Sequence, residues 1–324
     1  MPLHEGFNSV IAEFVFDTMG LPETSPALDA LVLMRSAAVR ARKLLFIDHT
    51  LAYYEFTATI TPAVLSVATE RSADLTVAVV ASQPTPLVWS VPYGADYGTV
   101  AAQPNGARYT APSRAPATPT SVMVASSLAP DRTASATVTI LPGVSTSAVA
   151  ASGTPKTAVL PSANCGQQIT IDIPPAAFAL TGQAFTQAGV EFPRLMAQGG
   201  MCVRDVLPVA PVLAPGLQSL TVEVPACADP GGWVRVPGHG SARLQIVPLI
   251  TGLAGDRAAN PDYTINGSGF ACGDTQVLVG GVAEPAASIL SLTCGSIHMA
   301  QWPNHGTSII VRTSGGDSAP FLVP

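Results

Sequence analysis

The chain has 324 residues, which is enough for two or three domains of ordinary size. Apolar residues make up 48% and charged residues only 11%, whereas soluble globular proteins usually contain about 25% charged residues. With 28 Gly and 30 Pro residues, long helices are disfavoured and short strands joined by turns are expected. The net charge of −6 provides no general positive field for phosphates, so we expect no nucleic-acid partner.

The mean hydropathy of +0.37 is high, and it raises the question of a membrane span. A spanning helix needs about 18 or more consecutive apolar residues, and the sequence has no such run. The most apolar stretch, residues 75–81, has the length of a strand and is followed by turn residues. We therefore expect no membrane partner. The sequence after Met1 lacks the basic region and small-residue cleavage site of a secretory signal, so ordinary secretory export is not expected.

Residues 1–50 differ from the rest of the chain. Ser25 followed by Pro26 is typical of a helix N-cap and first turn, and basic residues further on favour the carboxyl end of a helix. An isolated short helix needs packing to persist, so we predict a docking segment for another subunit. The alternative is a solvated helix face. The residues that form this possible docking patch are Arg35, Arg40, Arg42 and Lys43.

From residue 51 onward the pattern becomes that of strands. Tyr54, Phe56, Ala58 and Ile60 alternate with polar residues, as in a half-buried strand. Turn residues separate it from further candidate strands, as in a β-sandwich. These candidates are residues 74–81, 87–91, 121–126 and 134–141.

The order and spacing of five blocks in residues 51–142 resemble the bacterial immunoglobulin-like domains of group 2. Trp89, between Val88 and Val91, is predicted to be a core residue, and Tyr109 lies on a short strand bracketed by Gly106 and Pro112. The resemblance implies an immunoglobulin-like sandwich. The five blocks are residues 87–91, 98–100, 106–112, 121–125 and 134–140.

Residues 246–324 resemble an IPT/TIG immunoglobulin-like domain, most recognisably in the element Gly267-Ser-Gly-Phe270. The two glycines of this element permit positive φ in a tight corner, after which Phe270 is predicted to enter the core. Gly315 and Gly316 are predicted to form a hairpin turn between two terminal strands. The other matching segments are residues 248–253, 263–266, 275–282 and 307–323.

Residues 143–245 resemble no family. Alternation in 168–173 and 217–224 predicts strands that end at Pro, and hence a third β-rich unit. Residues 174–178 and 183–196 are interpreted as a loop or short helix across a sheet edge. The predicted fold is mainly β: tandem immunoglobulin-like sandwiches preceded by a short, partly helical segment. The predicted units are 1–50, 51–142, 143–245 and 246–324.

The five cysteines occur without Cys-x-x-Cys or zinc-finger spacing, so no metal site is predicted. They are interpreted as buried thiols, and the alternative is one or two disulfides. The preferred pair in that alternative is Cys272 with Cys294.

No catalytic constellation is evident, because the five histidines fall in separate segments among sparse carboxylates. We expect no enzyme, no catalytic residue and no cofactor. His239 is interpreted as an exposed loop histidine, with an interface or ligand role as the alternative. Trp302 with His298 and His305 is a possible glycan contact, and Trp233 and Tyr97 are further possible sugar platforms.

These features lead to three alternative hypotheses about function. The first hypothesis is a structural virion protein of a tailed bacteriophage: a capsid decoration, a neck or collar subunit, or a tail-associated subunit. It would be assembled in the host cytoplasm as a homo-oligomer with other virion subunits, because so few charges leave apolar surface to cover. The second is a bacterial cell-surface adhesin or extracellular protein. The third is a carbohydrate-binding accessory module, whose partner would be a host-surface glycan.

Overall fold

The computed structural model describes residues 56–82, 84–147, 149–186, 189–198 and 201–324. The predicted docking residues Arg35, Arg40, Arg42 and Lys43, and the predicted helix around them, lie outside the described residues. Within the described part, three pairs of β-sheets follow one another along the chain, together with one short two-stranded sheet.

The first pair of sheets encloses a hydrophobic core between residues 56 and 141. The strand order is β1-β3-β6-β5 in one sheet and β2-β8-β7-β4 in the other. This is the strand order of an immunoglobulin fold, and β2 runs parallel to β8. The strands are β1 (Phe56–Thr61), β2 (Val64–Ala68), β3 (Ser72–Ala81), β4 (Leu87–Ser90), β5 (Thr99–Gln103), β6 (Gly106–Thr110), β7 (Thr120–Ser126) and β8 (Ala129–Leu141), with a 3-10 helix at Ala95–Tyr97.

The five strands predicted from alternation are present as β1, β3, β4, β7 and β8, because each sheet buries one face. In β1, Phe56 and Ile60 are buried, whereas Thr57 and Thr59 are exposed. Trp89 packs against the core but is only half-buried. The fully buried aromatic residue of this unit is Tyr109.

The middle segment forms a second sandwich with the same plan. Its sheets have the orders β15-β16-β12-β9 and β14-β13-β17-β18, and β11 runs parallel to β19. The elements are β9 (Ser145–Thr146), β11 (Ser162–Ala163), β12 (Gln168–Asp172), helix α1 (Pro175–Thr181), β13 (Val190–Gln198), β14 (Met201–Val209), β15 (Val212–Leu213), β16 (Ser219–Glu223), β17 (Trp233–Val236), β18 (Gly240–Arg243) and β19 (Gln245–Ile246).

The helix α1 agrees with the predicted loop or short helix at 174–178. The interpretation of residues 183–196 is wrong over its second half, where β13 pairs with β14 over nine residues. Pro193 obscured this strand, because proline cannot donate to a sheet ladder. The β13–β17 ladder contains only the Glu191–Arg235 pair, and the Pro193 carbonyl instead accepts from the Asp229 N–H.

The third sandwich lies between residues 249 and 322, with sheet orders β20-β21-β25-β24 and β10-β27-β26-β22-β23. Strand β10 comes from the middle segment and extends the second sheet. The elements are β10 (Thr154–Pro155), β20 (Leu249–Ala254), β21 (Tyr263–Ser268), β22 (Gln276–Val279), β23 (Val282–Ala283), β24 (Ile289–Leu292), β25 (Ser296–Met299), β26 (Ser308–Thr313), β27 (Gly316–Asp317) and β28 (Phe321–Leu322, paired with β26), with a 3-10 helix at Ala286–Ser288.

The Gly267-to-Phe270 element forms the predicted corner, and Phe270 is buried in the core. Gly269 has φ of +74°, as expected. Gly267 serves another purpose, because a Cβ there would overlap the Leu249 carbonyl oxygen of the neighbouring strand. The predicted hairpin between β26 and β27 is also present, but its turn consists of Ser314 and Gly315, and Gly316 already belongs to β27, opposite Thr313.

The chain therefore folds as tandem immunoglobulin-like sandwiches, with three separate hydrophobic cores. Whether 51–142, 143–245 and 246–324 are units that fold independently stays a prediction.

The close approach at Gly267 gives a test of the third core. We expect Gly267→Ala to lower the free energy of unfolding by about 1–3 kcal/mol, because the methyl group displaces the Leu249 strand. Gly252→Ala is the matched control on the partner strand, where an added Cβ meets nothing within 4 Å. Urea denaturation followed by circular dichroism measures both. Equal loss in the two variants would contradict the packing described.

Candidate interaction surface

The first junction joins the first and middle sandwiches through the carboxylate of Glu70. Arg235 Nε donates to Glu70 Oε1 at 2.7 Å, and Arg235 Nη1 donates to Glu191 Oε2 at 2.7 Å. The N–H of Gly238 donates to Glu70 Oε2 at 2.8 Å. The hydrogen bond to Glu70, more than that to Glu191, raises the pKa of Arg235. Because Glu70 is only 14% exposed, these partners replace much of the water around its carboxylate, and separating the two sandwiches would break both charge-assisted contacts to it.

The hairpin turn between β17 and β18 fits against Thr69. Thr69 Oγ1 donates to the His239 carbonyl oxygen at 2.7 Å and accepts from the Gly143 N–H at 2.9 Å. A side chain at Gly240 would overlap Thr69, so glycine is required for this approach. A backbone hydrogen bond of 2.7 Å from the Ser241 N–H to the Ser113 carbonyl adds to the contact.

His239 is buried in this junction, with 8% exposure, and its ring meets Phe185 edge-on at 5.0 Å. The interpretation of His239 as an exposed loop residue is therefore wrong, and its interface alternative is correct. Burial, with a smaller effect from Arg71, lowers the pKa of His239. The two flanking glycines suggested an exposed turn, but here they permit close packing of that turn.

The second junction joins the middle and third sandwiches covalently. Disulfides link Cys202 to Cys272 and Cys227 to Cys294, with Cα–Cα distances of 5.5 and 5.0 Å. The predicted Cys272–Cys294 pair is thus wrong, because each of these cysteines faces the middle sandwich. The interpretation as buried thiols is wrong for these four cysteines. The alternative that disulfides form is correct, and both disulfides connect different sandwiches.

Backbone contacts accompany the disulfides at the second junction. Strand β10 pairs with β27 across it, with Thr154 opposite Asp317 and Pro155 opposite Gly316. The N–H of Lys156 also donates to the Gly315 carbonyl at 3.1 Å. This is strand addition of the kind proteins use to bind extended segments.

Cys165 is the unpaired cysteine. Its Sγ contacts the Ala226 carbonyl oxygen at 3.4 Å. Burial raises the pKa of the Cys165 thiol to about 11, so it is protonated and unreactive at neutral pH.

A groove of about 870 Å³ lies where the first and middle sandwiches meet. Trp233 of the middle sandwich lines it, together with Arg243 and, from the first sandwich, Arg114. The guanidinium carbon of Arg114 lies 4.3 Å from the centre of the indole ring, and that of Arg243 lies 5.0 Å from it. The wall beside Tyr97 is held because the buried Tyr109 hydroxyl donates to the Tyr97 carbonyl oxygen. Sequence reasoning identified Trp233 and Tyr97 as possible platforms but missed both arginines, which are distant in sequence.

The predicted glycan residues lie in the third sandwich. The ring of Trp302 stacks on the buried Tyr263 at 4.9 Å, and Trp302 packs against the core. His298 Nε2 lies 2.8 Å from Asp262 Oδ2, whereas His305 is exposed. A glycan contact at Trp302, His298 and His305 stays a prediction.

Across the residues that the structure describes, no group of three or more His, Cys, Asp or Glu side chains could hold a metal ion. In the same part of the chain, no helix combines the length and apolarity that crossing a membrane requires.

No protein-family model matches the sequence, and no curated protein matches it either. Among solved structures, the chain is similar to the eight N-terminal Ig domains of the Down syndrome cell adhesion molecule, at 11% identity and a TM-score of 0.26; the match covers 83% of this chain and 40% of that one. It is also similar to the titin domains I67–I69 (9% identity, TM-score 0.20, covering 82% and 94%) and to the D1–D4 fragment of ICAM-5 (13%, 0.21, covering 83% and 76%). At these TM-scores the alignments carry no weight, and the fold assignment rests on strand order.

The Glu70 contact gives a test of the first junction. We expect Glu70→Gln to weaken it by about 1–2 kcal/mol, because the charged acceptor of Arg235 and Gly238 is lost. Hydrogen exchange at the Gly238 amide should then be about 5 to 30 times faster. Glu223→Gln is the control, since the exposed Glu223 lies on β16 and accepts only from Gln168 among the side chains described. Unchanged exchange at Gly238 in Glu70→Gln would contradict the contact.

Burial of His239 predicts a pH dependence of stability. Because its pKa lies below the ordinary value of 6.5 in the folded state, the unfolded chain binds a proton first as the pH falls below 6.5. The resulting loss of stability grows as the pH falls from 6.5 to the folded-state pKa, keeps its full value below that pKa, and is absent above about pH 7.5. Thermal unfolding from pH 7.5 to 5 should show a smaller fall in midpoint for His239→Gln than for the native chain. Identical pH profiles would refute this assignment.

Proposed function

We propose that this chain is a non-enzymatic assembly protein, whose immunoglobulin-like sandwiches form one fixed body that binds other proteins. The observation that carries this proposal is the construction of the two junctions. Buried polar contacts and an ion-pair network join the first pair of sandwiches, and two disulfides with strand addition join the second.

Fixed junctions suit assembly because they set the distance and angle between binding surfaces before any partner arrives. A preorganised body loses less conformational entropy on binding than a flexible string of domains does. Exposed apolar side chains on strands of all three sandwiches provide surface that partners could cover. They include Val64, Val80, Val88, Met201, Val206, Val282 and Leu322.

The finer proposal is a structural virion protein of a tailed bacteriophage: a capsid decoration, neck or collar, or tail-associated subunit. The resemblances of residues 51–142 to bacterial group 2 domains and of 246–324 to IPT/TIG domains support a bacterial or phage setting. The low charge content supports burial of surface against other subunits in a homo-oligomer. Disulfides persist outside the reducing cytosol, as on the exterior of a released particle.

The second candidate is a bacterial cell-surface adhesin, and the same two disulfides favour it, because the outer surface of a cell is also oxidising. The location of the protein distinguishes the two proposals.

The test is to purify particles from a phage stock that encodes an epitope-tagged chain. A virion protein should occur at a constant copy number per particle, measured by quantitative mass spectrometry, and should appear as tagged density in electron micrographs. Absence from the particles, together with labelling of intact uninfected cells, would replace the virion proposal with the adhesin.

The two disulfides are expected to contribute to the stability of the folded chain. Each closes a loop of about 70 residues, so we expect the double variant Cys202→Ser with Cys272→Ser to lose about 2–4 kcal/mol of stability. The variant Cys227→Ser with Cys294→Ser is its matched partner, because its sequence separation of 67 is similar. Denaturant unfolding measures both. No loss in either variant would show that the disulfides do not hold the second junction.

A further inference from the structure

The groove at the first junction contains two arginines that the fold does not neutralise. Within the described residues, the guanidinium groups of Arg114 and Arg243 contact the Trp233 ring, and neither has a carboxylate partner. Other arginines do have such partners, for example Arg312, which donates twice to Asp317. Arg71, Arg132 and Arg257 also lack a carboxylate partner among the described residues. What distinguishes the two groove arginines is that both guanidinium groups lie over the same indole ring.

The backbone of each sandwich fixes the position of one of the two arginines. Arg243 lies directly opposite Trp233 in the β17–β18 ladder, so the indole and this guanidinium are cross-strand neighbours. Arg114 reaches the same ring from the segment that follows β6, next to the Ser113 carbonyl that accepts from Ser241. The spacing of the two guanidiniums consequently depends on the first junction.

The surroundings of Arg114 favour an anion. Partial burial, followed by the positive charges of Arg243 and Arg204, lowers the pKa of Arg114, and only Asp96 acts in the opposite direction. Two like charges beside one ring repel each other until a negative group comes between them. Guanidinium groups bind carboxylates through paired, charge-assisted hydrogen bonds.

We propose that this groove binds a carboxylate-rich segment of a partner protein, with Arg114 and Arg243 as the carboxylate-binding residues and Trp233 as their support. The volume of about 870 Å³ is in the range of sites that enclose a small ligand or a few residues of a peptide. A smaller hollow of about 250 Å³ also contacts Trp233 and Arg243 and extends the site toward Thr146.

A peptide fits this groove better than an acidic sugar does. Sugar-binding sites present a bare aromatic face, whereas guanidinium groups here lie over the face of Trp233. Asp96, on the groove wall, could accept hydrogen bonds from the backbone N–H groups that a peptide provides. The inference rests on the proposed function as a protein-binding body and specifies one of its binding surfaces.

Fluorescence polarisation with the full chain and fluorescein-labelled hexaglutamate tests the site. We expect saturable binding that weakens as salt is raised, and that weakens about tenfold or more in the variant Arg114→Gln with Arg243→Gln. Arg132→Gln is the control, because Arg132 lies on β8 outside the groove. Unchanged thermal midpoints would show that the variants remain folded.

A charge-reversed variant provides a test that does not depend on loss of binding alone. Arg114→Glu with Arg243→Glu should lose hexaglutamate and gain labelled hexalysine, whereas a site elsewhere would leave both affinities unchanged. Equal hexaglutamate affinity in the native chain and the double Gln variant would overturn the proposal, and so would absence of binding. Binding of trigalacturonate but not hexaglutamate would identify an acidic-sugar site instead. Any of these results leaves the junctions, and the location test of the proposed function, unaffected.

Discussion

The relative position of the first two sandwiches depends on the burial of Glu70 beneath a neighbouring hairpin. A carboxylate with 14% exposure is stable only while it has partners, and Arg235 and Gly238 both belong to the other sandwich. Separating the two sandwiches would break both of these charge-assisted contacts and return the carboxylate to water. Glu70 also has φ of +59°, an uncommon conformation for a residue other than glycine, which the surrounding contacts must maintain.

The relative position of the middle and third sandwiches depends on a different kind of contact. Strand β10 leaves the middle sandwich and completes a sheet of the third, so the hydrogen bonds of one sandwich depend on the chain of another. The disulfides lie in the same interface, where the Gly269 N–H also donates to the Ala226 carbonyl at 3.4 Å. The addition of β10 covers an edge that would otherwise be open to uncontrolled pairing.

Much of the fold was predictable because period-two alternation reports directly on burial. The segments 74–81, 121–126 and 168–173 became strands β3, β7 and β12, within one or two residues at most ends. The β13–β14 hairpin was not predicted, since Pro193 interrupts the pattern, and this strand tolerates proline only where pairing with β17 ends.

The functional surface was largely hidden from the sequence, because it joins residues from different sandwiches. Arg114 and Trp233 are 119 positions apart and meet only through the first junction. Cysteine spacing likewise could not reveal the pairing, since each disulfide connects two sandwiches and local distance along the chain favoured Cys272 with Cys294. The prediction that His239 is exposed was wrong for a different reason. Glycines beside a polar residue are as suitable for close packing as for an exposed turn.

The fixed geometry of the whole body is the claim on which the proposed function and the groove both depend. Double electron–electron resonance measures it most directly, with spin labels attached through noncanonical amino acids at positions 80 and 282, whose native valines are 70% and 69% exposed. A fixed body gives one narrow distance distribution in solution, unchanged by dilution. A broad or multimodal distribution in the native, disulfide-bonded chain would show that the sandwiches move independently and would contradict the claim.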